Sequence, residues 1–169
     1  NVDAGRSDAE ARAAAVFANA IGLMQYYDDC TFSLDQAYLF EAVKRTQPVL
    51  YSLVRERVSQ GRIETMGGWC AQDDAAASGE TLVRSIVMGK RFCARELGQD
   101  VNVMRIHAGE AVPAQLPQIL ALTGIHYALC DGGGNSCFWW QGLGGARVLT
   151  HTTENASGTD KALPGDAIR

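Results

Sequence analysis

Signals for strands and helices alternate along this 169-residue chain, and that alternation leaves very few architectures open to it. Residues 8–27 are Ala-rich, with Ala13, Phe17, Ala20, Ile21 and Met24 at helical spacing, which predicts an amphipathic helix. Residues 31–34 read as a short strand. Residues 36–59 are helical again through Leu39, Val43, Leu50, Leu53, Val54 and Val58. Pro48 divides that run into two helices, because proline removes a backbone donor, and Gly61 stops the second. A strand over residues 62–66 ends at Gly67 and Gly68. Ser78 is placed to cap the next helix, with Glu80 in its first turn, where the helix dipole favours negative charge. Leu82, Val83, Ile86, Val87, Cys93 and Leu97 give that helix one apolar face down to Gly98. A strand over 101–106 and a helix over 113–122 follow, the helix with proline near its start and Gly124 after its end. Strands over 126–130, 138–141 and 147–151 complete the pattern, and residues 154–169 read as a loop-like tail.

Strands joined by helices at this spacing imply right-handed crossovers and parallel pairing. The expectation is one α/β domain over residues 1–169, either partial (β/α) barrel-like or an open parallel sheet with flanking helices. Chemistry in such folds gathers beyond the carboxyl ends of the strands. Here those ends are Asp35, residues 68–74, residues 107–110 and Asp131, and they carry carboxylates.

Composition narrows the class. Hydrophobic content of 47% and charge content of 20% describe a globular chain. A net charge of −4 argues against nucleic acid and anionic membranes as partners. There is no uninterrupted apolar run of the roughly 18 residues that a bilayer span needs. The five cysteines form no CxxC pair. They read as buried thiols in a reducing compartment, with Cys70 a candidate for exposure. With no signal peptide visible, a cytoplasmic location is favoured. Neither a Gly-x-Ser-x-Gly elbow nor a Gly-x-Gly-x-x-Gly fingerprint is present.

The densest stretch is GRIETMGGWCAQDDAAASGETLVR, residues 61–84: a strand, two glycines, a tryptophan, a paired-carboxylate loop and a capped helix. From the residues alone, Asp73 and Asp74 suit either catalysis or a solvated loop that favours the start of the next helix. The blocks GRIETMGGW, SGETLVR, LPQIL with Gly124 and Ile125 after it, and FWW at 138–140, in this order, resemble the catalytic domain of the family 38 α-mannosidases over residues 2 to about 151. The resemblance implies a zinc-dependent glycosidase that retains configuration, with α-mannoside glycans as substrate.

Carried over residue by residue, Asp73 matches the nucleophile, which also touches zinc in the family. Trp69 would wall the sugar ring, with Asp74 beside it. Asp3 matches a metal-binding carboxylate that ends the family's first strand. Asn1 stands where an imidazole ligand belongs, and an amide is a far poorer zinc ligand. A Trp-rich stretch that follows this pair in the family is absent. The general-acid position falls on Ala108, which has no proton to give; Glu110 and His107 are nearby candidates to replace it. Gly144 stands where relatives carry Asp. His126 and His151 read as structural. Two oxygen ligands do not make a tight four-coordinate zinc site, so weak or absent zinc and weak or absent hydrolysis are expected, the alternative being a carbohydrate-binding or structural relic. The length falls short of a whole barrel, so a missing C-terminal region or a partner chain is expected to cover the sheet edge.

Overall fold

The computed structural model describes residues 2–70, 78–107, 112–132 and 134–153, with side chains from residue 8 onward. The described chain forms two compact units, one within residues 2–102 and the other from residue 103. Parallel strands flanked by helices give the α/β class that the alternation predicts.

In the first unit, α1 (Val2–Tyr26), α2 (Ala37–Thr46), α3 (Pro48–Ser59) and α4 (Gly79–Phe92) accompany β1 (Phe32–Gln36) and β2 (Ile63–Gly68). The two strands pair in parallel, Phe32 opposite Ile63 and Leu34 opposite Thr65. All five expected positions of α1 are buried, and Phe17 lies 4.9 Å from Phe40 and 6.0 Å from Phe32, ring centroid to centroid. Burying a large apolar side chain of this kind is worth about 2–3 kcal/mol. Pro48 opens α3, so the split between α2 and α3 falls where the sequence places it. Ser78 caps α4, its Oγ accepting from Thr81 N–H at 3.2 Å. Gly98 ends the following π-helical turn, Cys93–Leu97, at φ +68°.

The buried faces differ in part from expectation. Leu53 and Val83 are exposed, whereas Phe40, Tyr51, Ser85 and Phe92 are buried. In α4 the inward stripe consists of Leu82, Ser85, Ile86, Gly89 and Phe92, because small residues are needed where that helix meets β2. Of the five thiols only Cys93 is buried; Cys30 and Cys130 are half-buried, and Cys70 and Cys137 are exposed.

In the second unit, β3 (Val103–Ile106), β4 (Tyr127–Asp131), β5 (Ser136–Gln141) and β6 (Arg147–Thr153) form a sheet of order β3-β4-β6-β5, with α5 (Leu116–Leu122) beside it. β3, β4 and β6 are parallel, but β5 runs antiparallel to β6 as a hairpin. A short glycine-bearing connection between neighbouring strands allows only antiparallel pairing, since a parallel return needs a long crossover. Leu116, Leu120, Ile125, Ala128 and Val148 make the core of this unit.

Candidate active site

The carboxyl end of β2 is built by glycine. Gly67 adopts φ +71°, and a Cβ there would lie 2.5 Å from the Asp35 carbonyl oxygen at the end of β1. A Cβ on Gly68 would sit 2.8 Å from Ser85 Oγ, and one on Gly89 only 2.5 Å from the Gly68 carbonyl carbon. Helix α4 therefore packs backbone to backbone on the strand end, and Trp69 emerges directly beyond it. Trp69 N–H donates to the Ser85 carbonyl at 3.0 Å and to Ser85 Oγ at 3.1 Å, while its own carbonyl accepts from Tyr38 N–H at 2.8 Å. The half-buried indole meets Tyr38 (6.4 Å) and Phe92 (5.7 Å) edge-on. Tyr38 in turn donates through its hydroxyl to Glu10 at 3.2 Å, and Glu10 also pairs with Arg45. This frame fixes Trp69 from both backbone and ring.

Asp3 lies in the first helical turns of α1 rather than at the end of a strand, the place the sequence reading gave it. The Ala-rich helix simply begins earlier than residue 8. Asn1, Asp73, Asp74, Ala108 and Glu110 lie outside the described residues. Among the described residues, no three His, Cys, Asp or Glu side chains come together in a way that would hold a metal ion. The side chains of Asn1, Asp3 and Asp73, the residues expected to face a metal, are not among those described.

The second unit carries a polar cluster at the carboxyl ends of β3 and β4. Arg105 Nη2 donates to Asp131 Oδ1 and Oδ2 at 3.2 and 3.1 Å, and its Nε lies 3.2 Å from Oδ2. His107 Nδ1 reaches the same Oδ2 at 3.2 Å. The Asp131 side chain is only 13% exposed, so its charge sits well withdrawn from water and is met by a guanidinium fork. Burial and the Asp131 charge together raise the pKa of Cys130. His107 and Asp131 were legible as strand-end residues. Arg105 was not, because inside a short strand nothing in the sequence tells which face an arginine takes. His151 donates through Nε2 to Asn135 Oδ1 at 2.8 Å, a bond that ties the end of β6 to the residue before β5. At Gly144 an added Cβ would meet the Gln118 side-chain amide at 2.8 Å.

Known proteins resemble this chain in both sequence and fold. The family model described as "Glycosyl hydrolases family 38 N-terminal domain" matches residues 5–162. Human alpha-mannosidase 2C1 is 33% identical over 141 residues, 78% of this chain and 14% of the relative. Alpha-mannosidase G of Dictyostelium discoideum is 31% identical over 144 residues, 80% of this chain and 13% of the relative. The chain thus spans only a small part of the length of these relatives. An alpha-mannosidase structure from Enterococcus faecalis V583 superposes with a TM-score of 0.74 at 20% identity, over 85% of this chain and 17% of the other, which speaks to fold alone. With the motif blocks, the parallel α/β build and a family match across most of its length, the chain belongs to the N-terminal domain family of the family 38 glycosyl hydrolases.

Proposed function

We propose that this chain binds α-mannoside glycans and is at most a weak hydrolase of them. The observation that carries the reading is the delivery of Gly67, Gly68 and Trp69 to the carboxyl end of β2, immediately before the carboxylate loop, in a chain of this family. In this reading Trp69 offers the sugar an apolar face and Asp73 occupies the nucleophile position, with Asp74 as its neighbour. Retaining hydrolysis needs one carboxylate to attack the anomeric carbon and a second group to protonate the departing oxygen. Ala108 holds no proton, and general acid catalysis typically supplies a factor of about 10²–10⁴. Glu110 is the candidate replacement on the same loop. Asn1 and Asp3 leave a poor set for zinc, so metal affinity is proposed to be low.

A second reading is a structural relic without a sugar site. Its support is the edge-on packing of the Trp69 ring against Tyr38 and Phe92, which a purely structural tryptophan would also make. Titration with mannose or a mannosidase inhibitor separates the two. Binding predicts a change in tryptophan emission that Trp69→Phe removes, whereas a flat response at millimolar ligand leaves only the relic. Rapid turnover of an aryl α-mannoside that a chelator and Asp73→Asn both abolish would overturn the weak-hydrolase part.

A further inference from the structure

The indole of Trp69 has two aromatic neighbours of different kinds. Phe92 is buried and is held by the core around it. Tyr38 is only half-buried, so packing holds its ring less completely. A hydrogen bond supplies the rest. Tyr38 Oη donates to Glu10 Oε1 on α1 at 3.2 Å, and the same oxygen accepts from Arg45 Nη2. Tyr38 and Arg45 stand about two turns apart on one face of α2, so both reach the same carboxylate. The Glu10 side chain is 12% exposed, and a carboxylate so withdrawn from water needs charged and hydrogen-bonding partners to stay there. Arg45 supplies the charge and Tyr38 a further donor. The main chain of Trp69 is fixed as well, its N–H by Ser85 and its carbonyl by Tyr38 N–H. With the main chain held, the indole keeps only its two side-chain torsions, and the Tyr38 ring, 6.4 Å away between centroids, limits those.

A tryptophan closed in on every side is held by packing and needs no polar tether. One that keeps part of its ring open to a ligand cannot be packed there, and directed bonds among its neighbours must hold it instead. Trp69 is half-buried and has such a tether at one remove. We propose that Tyr38 is the positioning residue that sets the Trp69 ring for a sugar, with Glu10 and Arg45 steadying Tyr38. Affinity for the glycan is thereby tuned from α1 and α2 rather than from the loop that carries the carboxylates. The assignment rests on the reading of Trp69 as an apolar wall of the sugar site. Its physical content is preorganisation: a ring already set in the binding orientation loses less freedom when the ligand arrives. Tyr38, Glu10 and Arg45 act through Trp69 and not on the sugar.

Trp139→Phe and Trp140→Phe together leave Trp69 as the sole tryptophan of the full chain, and its emission then follows a mannose titration. In that background Tyr38→Phe keeps the ring and loses the bond to Glu10, and it should weaken binding about threefold. Tyr38→Leu removes the ring as well and should weaken binding about tenfold. Glu10→Ala should match Tyr38→Phe, whereas Glu10→Gln, whose carboxamide oxygen still accepts from Tyr38, should keep most of the affinity. The anisotropy of Trp69 without ligand should fall in Tyr38→Phe, Tyr38→Leu and Glu10→Ala and hold in Glu10→Gln. Val54→Ala, which opens a cavity at a fully buried position of α3, should lower the urea midpoint yet leave affinity and anisotropy as they were. Unchanged affinity in Tyr38→Leu and Glu10→Ala, in a chain that does bind mannose, would overturn the positioning role and leave the sugar site standing. A chain whose Trp69 emission ignores mannose altogether would overturn both. An affinity loss in Val54→Ala as large as that in Tyr38→Leu would show general loosening and defeat the assignment.

Discussion

The strand ends of the two units are finished in opposite ways. β2 stops against bare backbone, with Gly67, Gly68 and Gly89 leaving no room for another carbon. β3 and β4 stop in charge, with Asp131 shared between Arg105 and His107. The first arrangement is governed by shape: any added atom must displace main chain, while salt changes little. The second is governed by electrostatics: its side chains can shift, but removing one charge strands another. A chain can therefore build one strand end that is rigid by exclusion and another that is ordered by attraction.

Steric intrusion should produce the largest effect. Gly89→Ala puts a methyl group 2.5 Å from a backbone carbon of Gly68. Overpacking of this kind costs about 3 kcal/mol, which outweighs the roughly 1 kcal/mol that alanine gains over glycine inside a helix. Urea unfolding should show a lowered midpoint; an unchanged or raised midpoint would mean that α4 does not rest on the strand end. Next in size is Asp131→Asn, which should cost about 1 kcal/mol by weakening the bond to a partly exposed arginine. That deficit should shrink in high salt, while the Gly89→Ala deficit should not, so the same denaturation series at two ionic strengths tests the contrast directly. The smallest effect concerns Glu96 in the first unit. Hydrogen bonds from Lys44 and Arg95 hold its carboxyl below the ordinary 4.5. A depressed folded value means stability that is present above the unfolded value and is lost as pH falls through the folded one. Stability measured against pH should therefore show the unaltered chain and Glu96→Gln drawing together below about pH 4; parallel curves would remove Glu96 from the acid response.

Local chemistry was readable in the sequence and pairing was not. Pro48, Ser78 and Gly98 each act on backbone within a few residues, so the breaks they impose appear where they stand. The stripe Ala13, Phe17, Ala20, Ile21 and Met24 declared its face through periodicity alone. The antiparallel course of β5 and the division into two sheets depend on which strand meets which, a choice made by residues far apart in the chain. The inward turn of Ser85 and Gly89 was equally hidden, since Val83 and Val87 look like better core residues until Gly68 is seen to need small neighbours. At the candidate site, Trp69 was legible through its motif. The Arg105–Asp131–His107 cluster was legible only in part, because strand-end position is local information whereas the union of three side chains from two strands is not.

One side chain of the first unit shapes what the short sheet can become. Gln99 Oε1 accepts from Thr65 N–H at 3.2 Å and from Thr65 Oγ1 at 2.8 Å, and its Nε2 donates to the Ile63 carbonyl at 3.2 Å. A single carboxamide thereby imitates one rung of an incoming strand along the lateral border of β2. Any polypeptide seeking to extend that ladder must first evict this surrogate and replace its three hydrogen bonds. The border is thus plugged from within, and lengthening the sheet on that side becomes a competition rather than a simple addition.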